Sequence, residues 1–383
     1  MKAMSWTLCA AASVVALQAL AQALPPPNAN GPIVANPPGS IIATIPDPDP
    51  AINNPDKVSW QLFTQVNAPA ATTGKNNNVL FETWASDDDT FVTSPVWPST
   101  APVAKLKVPA LVRFAPPRKG PNPFVVPMPP GATVSEEVRR NKAAFDFIVD
   151  HKLFTRAGLK QAFAAGKPIV FPIDAIEVKA NWVPASSVNA SLYHVNTASD
   201  GKQYALVSMH LISKQVPNWT WATFEHMNNL GRCDYIGCRD NFGATDKYVA
   251  PNSSTGKQYP ACGKVQALKD MFTAAKLESA FQNYCLKGSQ IDFTTSTGQP
   301  TLLGNSVTEN GFVPSSSCMT CHGNASVKSS GANAQNVFLP NGQSPNGTPL
   351  PGSFWNNPGA PNQSLKALQM DFVWAIPLNA IGP

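Results

Sequence analysis

Ile176-Glu177-Val178-Lys179-Ala180-Asn181-Trp182 alternates apolar and polar residues one by one. Successive side chains on a strand point to opposite faces, so the spacing predicts a half-buried strand with Ile176, Val178, Ala180 and Trp182 turned to a core. Tyr204 to Ile212 and Trp219 to Glu225 read as further strands, joined through a turn at Pro217. Outward from this stretch the chain becomes helical. Thr133 and Glu136 form a T-x-x-E capping box ahead of Val138, Phe145, Ile148 and Val149, with Glu137, Arg139, Arg140 and Asp146 facing out, which predicts a helix. A second helix runs from about Thr155 to Ala165 and stops at Gly166 and Pro168. Asp56 can cap a short helix carrying Trp60 and Phe63, Val79 to Trp84 reads as a strand, and residues 264–287 return to helical character with Leu268, Met271, Phe272 and Leu277. Strands and helices that come in runs predict an α+β fold: an antiparallel sheet or sandwich core with helical additions. No internal repeat is visible.

Composition bounds the class. The chain has 383 residues, long enough for one large or two ordinary domains, with 38 prolines and only 13% charged residues, as in a loop-rich extracytoplasmic protein. Its formal charge of +5 is scattered, and the nearest basic cluster, Arg113, Arg118 and Lys119, reads as a solvated loop, so neither nucleic acid nor a membrane surface is indicated. Lys2, the apolar stretch Leu8 to Leu20 and Ala21-Gln22-Ala23 make residues 1–23 a signal peptide with Cys9 in its apolar part. No later run reaches the roughly 18 apolar residues that span a bilayer. The expected location is periplasmic or secreted. Residues 24–55, with Pro25-Pro26-Pro27 and Pro46-Asp47-Pro48-Asp49-Pro50, read as a Pro-rich arm, and residues 56–383 as the body, with a flexible segment at 323–364.

Chemistry concentrates at Cys318-Met319-Thr320-Cys321-His322, a C-x-x-C-H pentapeptide. This pattern predicts one covalently attached haem c, held through two thioethers by Cys318 and Cys321, with His322 as the proximal iron ligand. A thioredoxin-like redox pair would need a strand before the motif and a helix after it, whereas Pro314-Ser315-Ser316-Ser317 precedes it and Gly323-Asn324-Ala325-Ser326 follows. A structural zinc site would need a second C-x-x-C or H-x-x-x-H nearby, and none is present. Covalent haem attachment belongs to an exported compartment, which agrees with the leader. Without Cys9 and the haem cysteines four remain, an even number where disulfides form. Cys233 with Cys238 and Cys262 with Cys285 are the favoured pairs, because the first closes a short Gly-containing loop and the second staples a helical segment. A second metal site is the alternative.

Only 61 residues follow His322, many of them in the Gly/Pro/Asn/Ser-rich stretch Gly323 to Ser364, too little to enclose a haem. The upstream body is therefore expected to pack against it. Candidates for the distal position are Met370, otherwise core filler beside Phe372 and Trp374, and His210 and His226, either of which could instead be a hydrogen-bonded structural residue. Glu225 and His226 could also serve as acid/base groups, but neighbours on a strand face opposite ways, so only one of them can face the iron.

Phe171-Pro172-Ile173, Ile176 to Trp182, Val207-Ser208-Met209-His210, Trp219-Thr220-Trp221-Ala222-Thr223-Phe224-Glu225-His226, Leu303-Gly304-Asn305-Ser306 and Ser316 to His322 together resemble a widespread group of secreted bacterial monohaem cytochrome c family proteins, over roughly residues 56–380. The resemblance implies an exported haem protein and assigns roles only to Cys318, Cys321 and His322; Cys233-Asp234-Tyr235-Ile236-Gly237-Cys238 falls outside its pattern. Three functions follow as expectations. The first is electron transfer, with a redox partner protein or a small-molecule electron donor or acceptor. The second is a peroxidase-like or oxygenase-like oxidoreductase with an open distal site, which the size of the chain favours. The third is a ligand-binding or sensing module with structural haem, which nine tryptophans allow.

Overall fold

The Ile176–Trp182 stretch lies inside a sheet with a neighbour on each side. The computed structural model describes residues 48–70, 78–98, 133–334, 355–356 and 365–383. Helices α1 (Pro48–Asn53) and α2 (Pro55–Val66) lead to a 3-10 turn (Leu80–Thr83), β1 (Ala85–Ser86) and α3 (Asp87–Thr90). Then come β2 (Ser135–Arg140), α4 (Lys142–Asp150), α5 (Arg156–Ala165), β3 (Ile176–Pro184), β4 (Val195–Thr197), β5 (Gln203–Ser213) and β6 (Thr220–His226). A small ribbon of β7 (Cys238–Arg239) and β8 (Tyr248–Val249) precedes α6 (Gln266–Ala274) and β9 (Tyr284–Gln290). Helix α7 (Cys318–His322), β10 (Ser326–Val327), β11 (Leu368–Gln369) and α8 (Ala375–Asn379) follow.

Seven strands make one antiparallel sheet in the order β1-β2-β3-β5-β6-β9, with β4 also paired to β5. The fold is α+β with an antiparallel core, as expected. Ile176, Val178, Ala180 and Trp182 do turn to a core: with Met209, Leu211, Ala222, Phe224 and Leu286 they form an apolar face covered by α2 and α6. Trp60 and Phe63 of α2 meet Phe224 at ring distances of 4.9 and 4.5 Å. The opposite face carries Glu177, Lys179, Asn181, Ser208, His210, Thr223 and Glu225, and it is covered too: Asn181, Ser208, Thr223 and Glu225 are each 0% exposed. The alternation was therefore right in phase, but β3 is not half-buried, because residues 303–327 and 365–380 lie over its polar side.

Several local expectations give way to tertiary pairing. Ser135–Arg140 is β2, not the start of a helix; it pairs with β3 from Ser135↔Trp182 to Arg140↔Glu177, and Glu136 is held by Lys179. The helix begins at Lys142, capped by Asn141, whose Oδ1 accepts from Ala144 N and from Ile176 N, each at 3.1 Å. Helix α2 is capped by Asn54, while Asp56 reaches Asn241 N at 2.8 Å. Residues 79–84 form a 3-10 turn instead of a strand, since Glu82 folds back onto Val79 N. Only Gln266–Ala274 of the 264–287 stretch is α-helical, and Cys285 sits on β9. Helix α5 ends where expected, at Gly166 with φ +61°.

Of the 24–55 arm, residues 48–53 are helical, with Ala51 buried. Of the segment expected to be flexible, residues 323–334 are packed: β10 pairs with β11, and Ala325 and Val327 are 0% exposed. The signal peptide, residues 24–47 and the Arg113, Arg118 and Lys119 cluster lie outside the described residues. Among the described residues no helix is long and apolar enough to cross a membrane.

Candidate functional site

Helix α7 is a single turn, and the i, i+3 spacing puts Cys318 and Cys321 on one side of it with His322 next in line. Contacts with the body hold it, among them Met319 N donating to Gln290 Oε1 at 3.2 Å. Cys318 Sγ donates to Leu303 O at 3.4 Å, Trp374 Nε1 donates to Cys321 O at 3.0 Å, and His322 Nδ1 meets Phe372 O at 2.8 Å. A carbonyl only accepts, so Nδ1 carries the proton and Nε2 presents the lone pair. Trp221 of β6 packs on the imidazole, with ring centroids 4.7 Å apart. Burial, reinforced by Lys179 and His210, lowers the His322 pKa to about 3, so the ring is neutral at ordinary pH, the form that binds a metal. Burial pushes Cys321 up to about 12 and Cys318 well above the usual thiol range.

The other four cysteines among the described residues form the two expected disulfides, Cys233–Cys238 and Cys262–Cys285, so they are not a second metal site. Cys318 and Cys321 take part in neither. Two thiols on one helical turn, an adjacent neutral imidazole with its Nδ1 anchored, and apolar walls from Trp221, Phe293, Phe312, Phe372 and Trp374 form a donor set that fits haem c. The motif packs against the body through Ile212 and Trp221.

Around α7 the polar sheet face is tied down by the turn at residues 304–309. Asn305 Oδ1 accepts from Val307 N at 2.9 Å and Thr308 N at 2.6 Å, while its Nδ2 contacts Thr223 Oγ1 and His210 Nε2, both at 3.0 Å. Thr308 and Ser208 hydroxyls both donate to Asn181 Oδ1. Glu309 is held by Asn305 N at 2.6 Å and lies 3.5 Å from His210 Nε2. Glu225 accepts from Ser306 N at 2.9 Å and from the Ser306 hydroxyl. Lys287 occupies the bulge that β9 makes opposite Thr223 and Phe224; it is buried, 3.8 Å from Glu225, and burial lowers its pKa.

The three distal candidates separate. His210 pairs with Thr223 on the face where Trp221 meets His322. His226 is on the other face: its Nε2 donates to Leu192 O at 3.0 Å, its Nδ1 accepts from Asn228 N, and its ring stacks on Tyr193 at 3.5 Å. The sheet stands between it and His322, so the structure removes His226 from the candidates. Burial lowers its pKa to about 4, which keeps it neutral. Met370 is 0% exposed, its N–H bound to Ala325 O, two residues from the Phe372 carbonyl that receives Nδ1. Its side chain belongs to the apolar cluster that also holds Met319, Val373 and Trp374. Glu225 shares the His210 face but is engaged by Ser306 and Asn229.

Asn305, Glu309 and Lys179 gained no role from the sequence, although Leu303-Gly304-Asn305-Ser306 is among the stretches that carry the resemblance. No family profile, no characterised protein and no solved structure matches this chain.

Proposed function

We propose that this chain is an exported monohaem c-type cytochrome, periplasmic or secreted, of the group it resembles. Cys318 and Cys321 would hold the haem through thioethers and His322 would bind its iron through Nε2. The carrying observation is the single turn Cys318–His322 whose imidazole is neutral and anchored through Nδ1 to Phe372 O at 2.8 Å. Bound there, haem supplies one-electron redox chemistry and ligand binding at iron. Its electrons would be exchanged with a redox partner protein or a small-molecule donor or acceptor.

Within that class the placement of the candidates favours an open-site haem oxidoreductase over a closed electron carrier. His226 lies across the sheet, Met370 is packed in the apolar core with its N–H on Ala325 O, and the Nε2 of His210 is already occupied by Asn305. The chain's own residues exclude water with Trp221, Phe372 and Trp374 and set the tautomer of His322.

The test is periplasmic expression with the haem-attachment machinery, followed by a pyridine haemochrome. Wild type gives a thioether-type spectrum that survives denaturation, and Cys318→Ala/Cys321→Ala loses it. The reduced protein binds carbon monoxide readily. Wild type without covalent haem overturns the proposal, and refusal of carbon monoxide by a low-spin reduced protein returns the reading to a closed carrier.

A further inference from the structure

Two half-buried imidazoles lie near the polar face of the sheet, and each has one nitrogen committed. His322 lies on Trp221, and Trp221 and His210 are diagonal cross-strand neighbours, because Thr223 pairs with His210 and Ile212 pairs with Trp221. Such diagonal pairs lie roughly 7–8 Å apart, within reach of large side chains. His322 commits Nδ1, as a donor to Phe372 O. His210 commits Nε2, and the partner decides what that means.

Asn305 cannot turn its amide round. Its Oδ1 accepts two backbone N–H bonds, from Val307 at 2.9 Å and Thr308 at 2.6 Å, so the group 3.0 Å from His210 Nε2 is the NH2. An NH2 only donates, and Nε2 must therefore accept. Its second hydrogen goes to Thr223 Oγ1 at 3.0 Å. Glu309 Oε1 lies 3.5 Å from Nε2 but, as a carboxylate oxygen, only accepts and cannot bond a bare Nε2; its carboxylate is held instead by Asn305 N. With Nε2 accepting, the ring N–H of His210 is on Nδ1, for which the described residues supply no hydrogen-bond partner. One imidazole presents a lone pair, and the other presents an N–H.

We propose that His210, locked as the Nδ1–H tautomer by Asn305, is a hydrogen-bond donor to a small ligand, anionic at its iron-bound atom, taken up opposite His322. It is a positioning group, not an iron ligand. The proposal rests on the haem reading above. It assigns to Asn305 a purely orienting part: its two backbone donors choose the amide orientation, and the amide chooses the histidine tautomer.

Fluoride is the probe, because it binds ferric haem as an anion and its stability depends on donors around it. Ferric wild type, His210→Phe and His210→Gln are titrated with fluoride, and the ferrous forms with carbon monoxide, which is a poor acceptor. Loss of one charge-assisted hydrogen bond weakens fluoride by about 10-fold or more in His210→Phe. His210→Gln, which keeps an N–H, stays close to wild type, and carbon monoxide affinity moves far less than fluoride affinity. Equal fluoride affinity in wild type and His210→Phe overturns the inference. So does a low-spin wild type that becomes high-spin and gains fluoride affinity in His210→Phe, since His210 would then be the ligand. Should His210→Phe fail to fold, the charge-transfer band of the wild-type fluoride complex reads the same bond, and a band typical of fluoride without a donor is the overturning result. A protein without a thioether haemochrome instead fails the haem reading itself, so the two failures are separable.

Discussion

His194 shows how far one residue can depart from its ordinary chemistry. It is 0% exposed between Glu82, 2.8 Å from Nε2, and Glu278, 2.8 Å from Nδ1. Burial opposes its charge, but the two carboxylates prevail and raise its pKa from 6.5 to about 9. A folded pKa above the unfolded one means stability that is fully present below pH 6.5 and lost as pH rises through about 9. The shift corresponds to on the order of 3 kcal/mol. Thermal melts between pH 6 and pH 10 should show this decline in wild type, and His194→Phe, already lacking the interaction, should be flatter over the same range. His226 shifts the other way, down to about 4, so its cost accumulates as pH falls from 6.5. Neither environment was legible in the sequence, because Glu82 and Glu278 are 112 and 84 residues from His194 and no local pattern joins them. The Cys318–His322 turn was legible, because the C-x-x-C-H pattern lies within five consecutive residues.

At the level of elements, strand β2 carries the arginine that decides how the edge of the sheet is held. Arg140 is 0% exposed and reaches Glu177, Asp87, Ser86 O and Thr90 Oγ1. Removing one partner of such a buried group leaves the others uncompensated, so Arg140→Ala should cost about 3–5 kcal/mol in urea denaturation. Lys142→Ala, which breaks an exposed i, i+4 pair with Asp146, should cost about 0.5 kcal/mol or less. The contrast tests whether burial, and not the number of ion pairs, sets their worth. The turn over the site has its own weak point at Gly304, where an added Cβ would run into the Ser316 side chain. Gly304→Ala should destabilise by about 1–3 kcal/mol, read from the same denaturation curves, and displace Asn305 from His210. The T-x-x-E signal at Thr133 misled because pairing with β3 offers residues 135–140 a full ladder of hydrogen bonds, which outweighs one cap.

For the whole molecule, the disulfides bracket the α6–β9 side of the sheet. Cys262–Cys285 joins residues 23 apart and Cys233–Cys238 joins residues 5 apart. On a loop-entropy account the first should stabilise by about 3 kcal/mol and the second by about 2 kcal/mol, and denaturation of the two double Cys→Ala variants checks the order. Both pairs were readable from cysteine parity and loop length. The α+β class and the phase of β3 were readable too, because a period of two is a property of neighbouring residues. By itself, the sequence determined the C-x-x-C-H pentapeptide, the disulfide count and the apolar face of the sheet, all of which depend on residues close in the chain. Only the tertiary structure decided what covers the polar face and which histidine shares it with His322. Strand pairing settles which face each side chain joins, and burial then draws the polar groups on that face to partners far away in sequence.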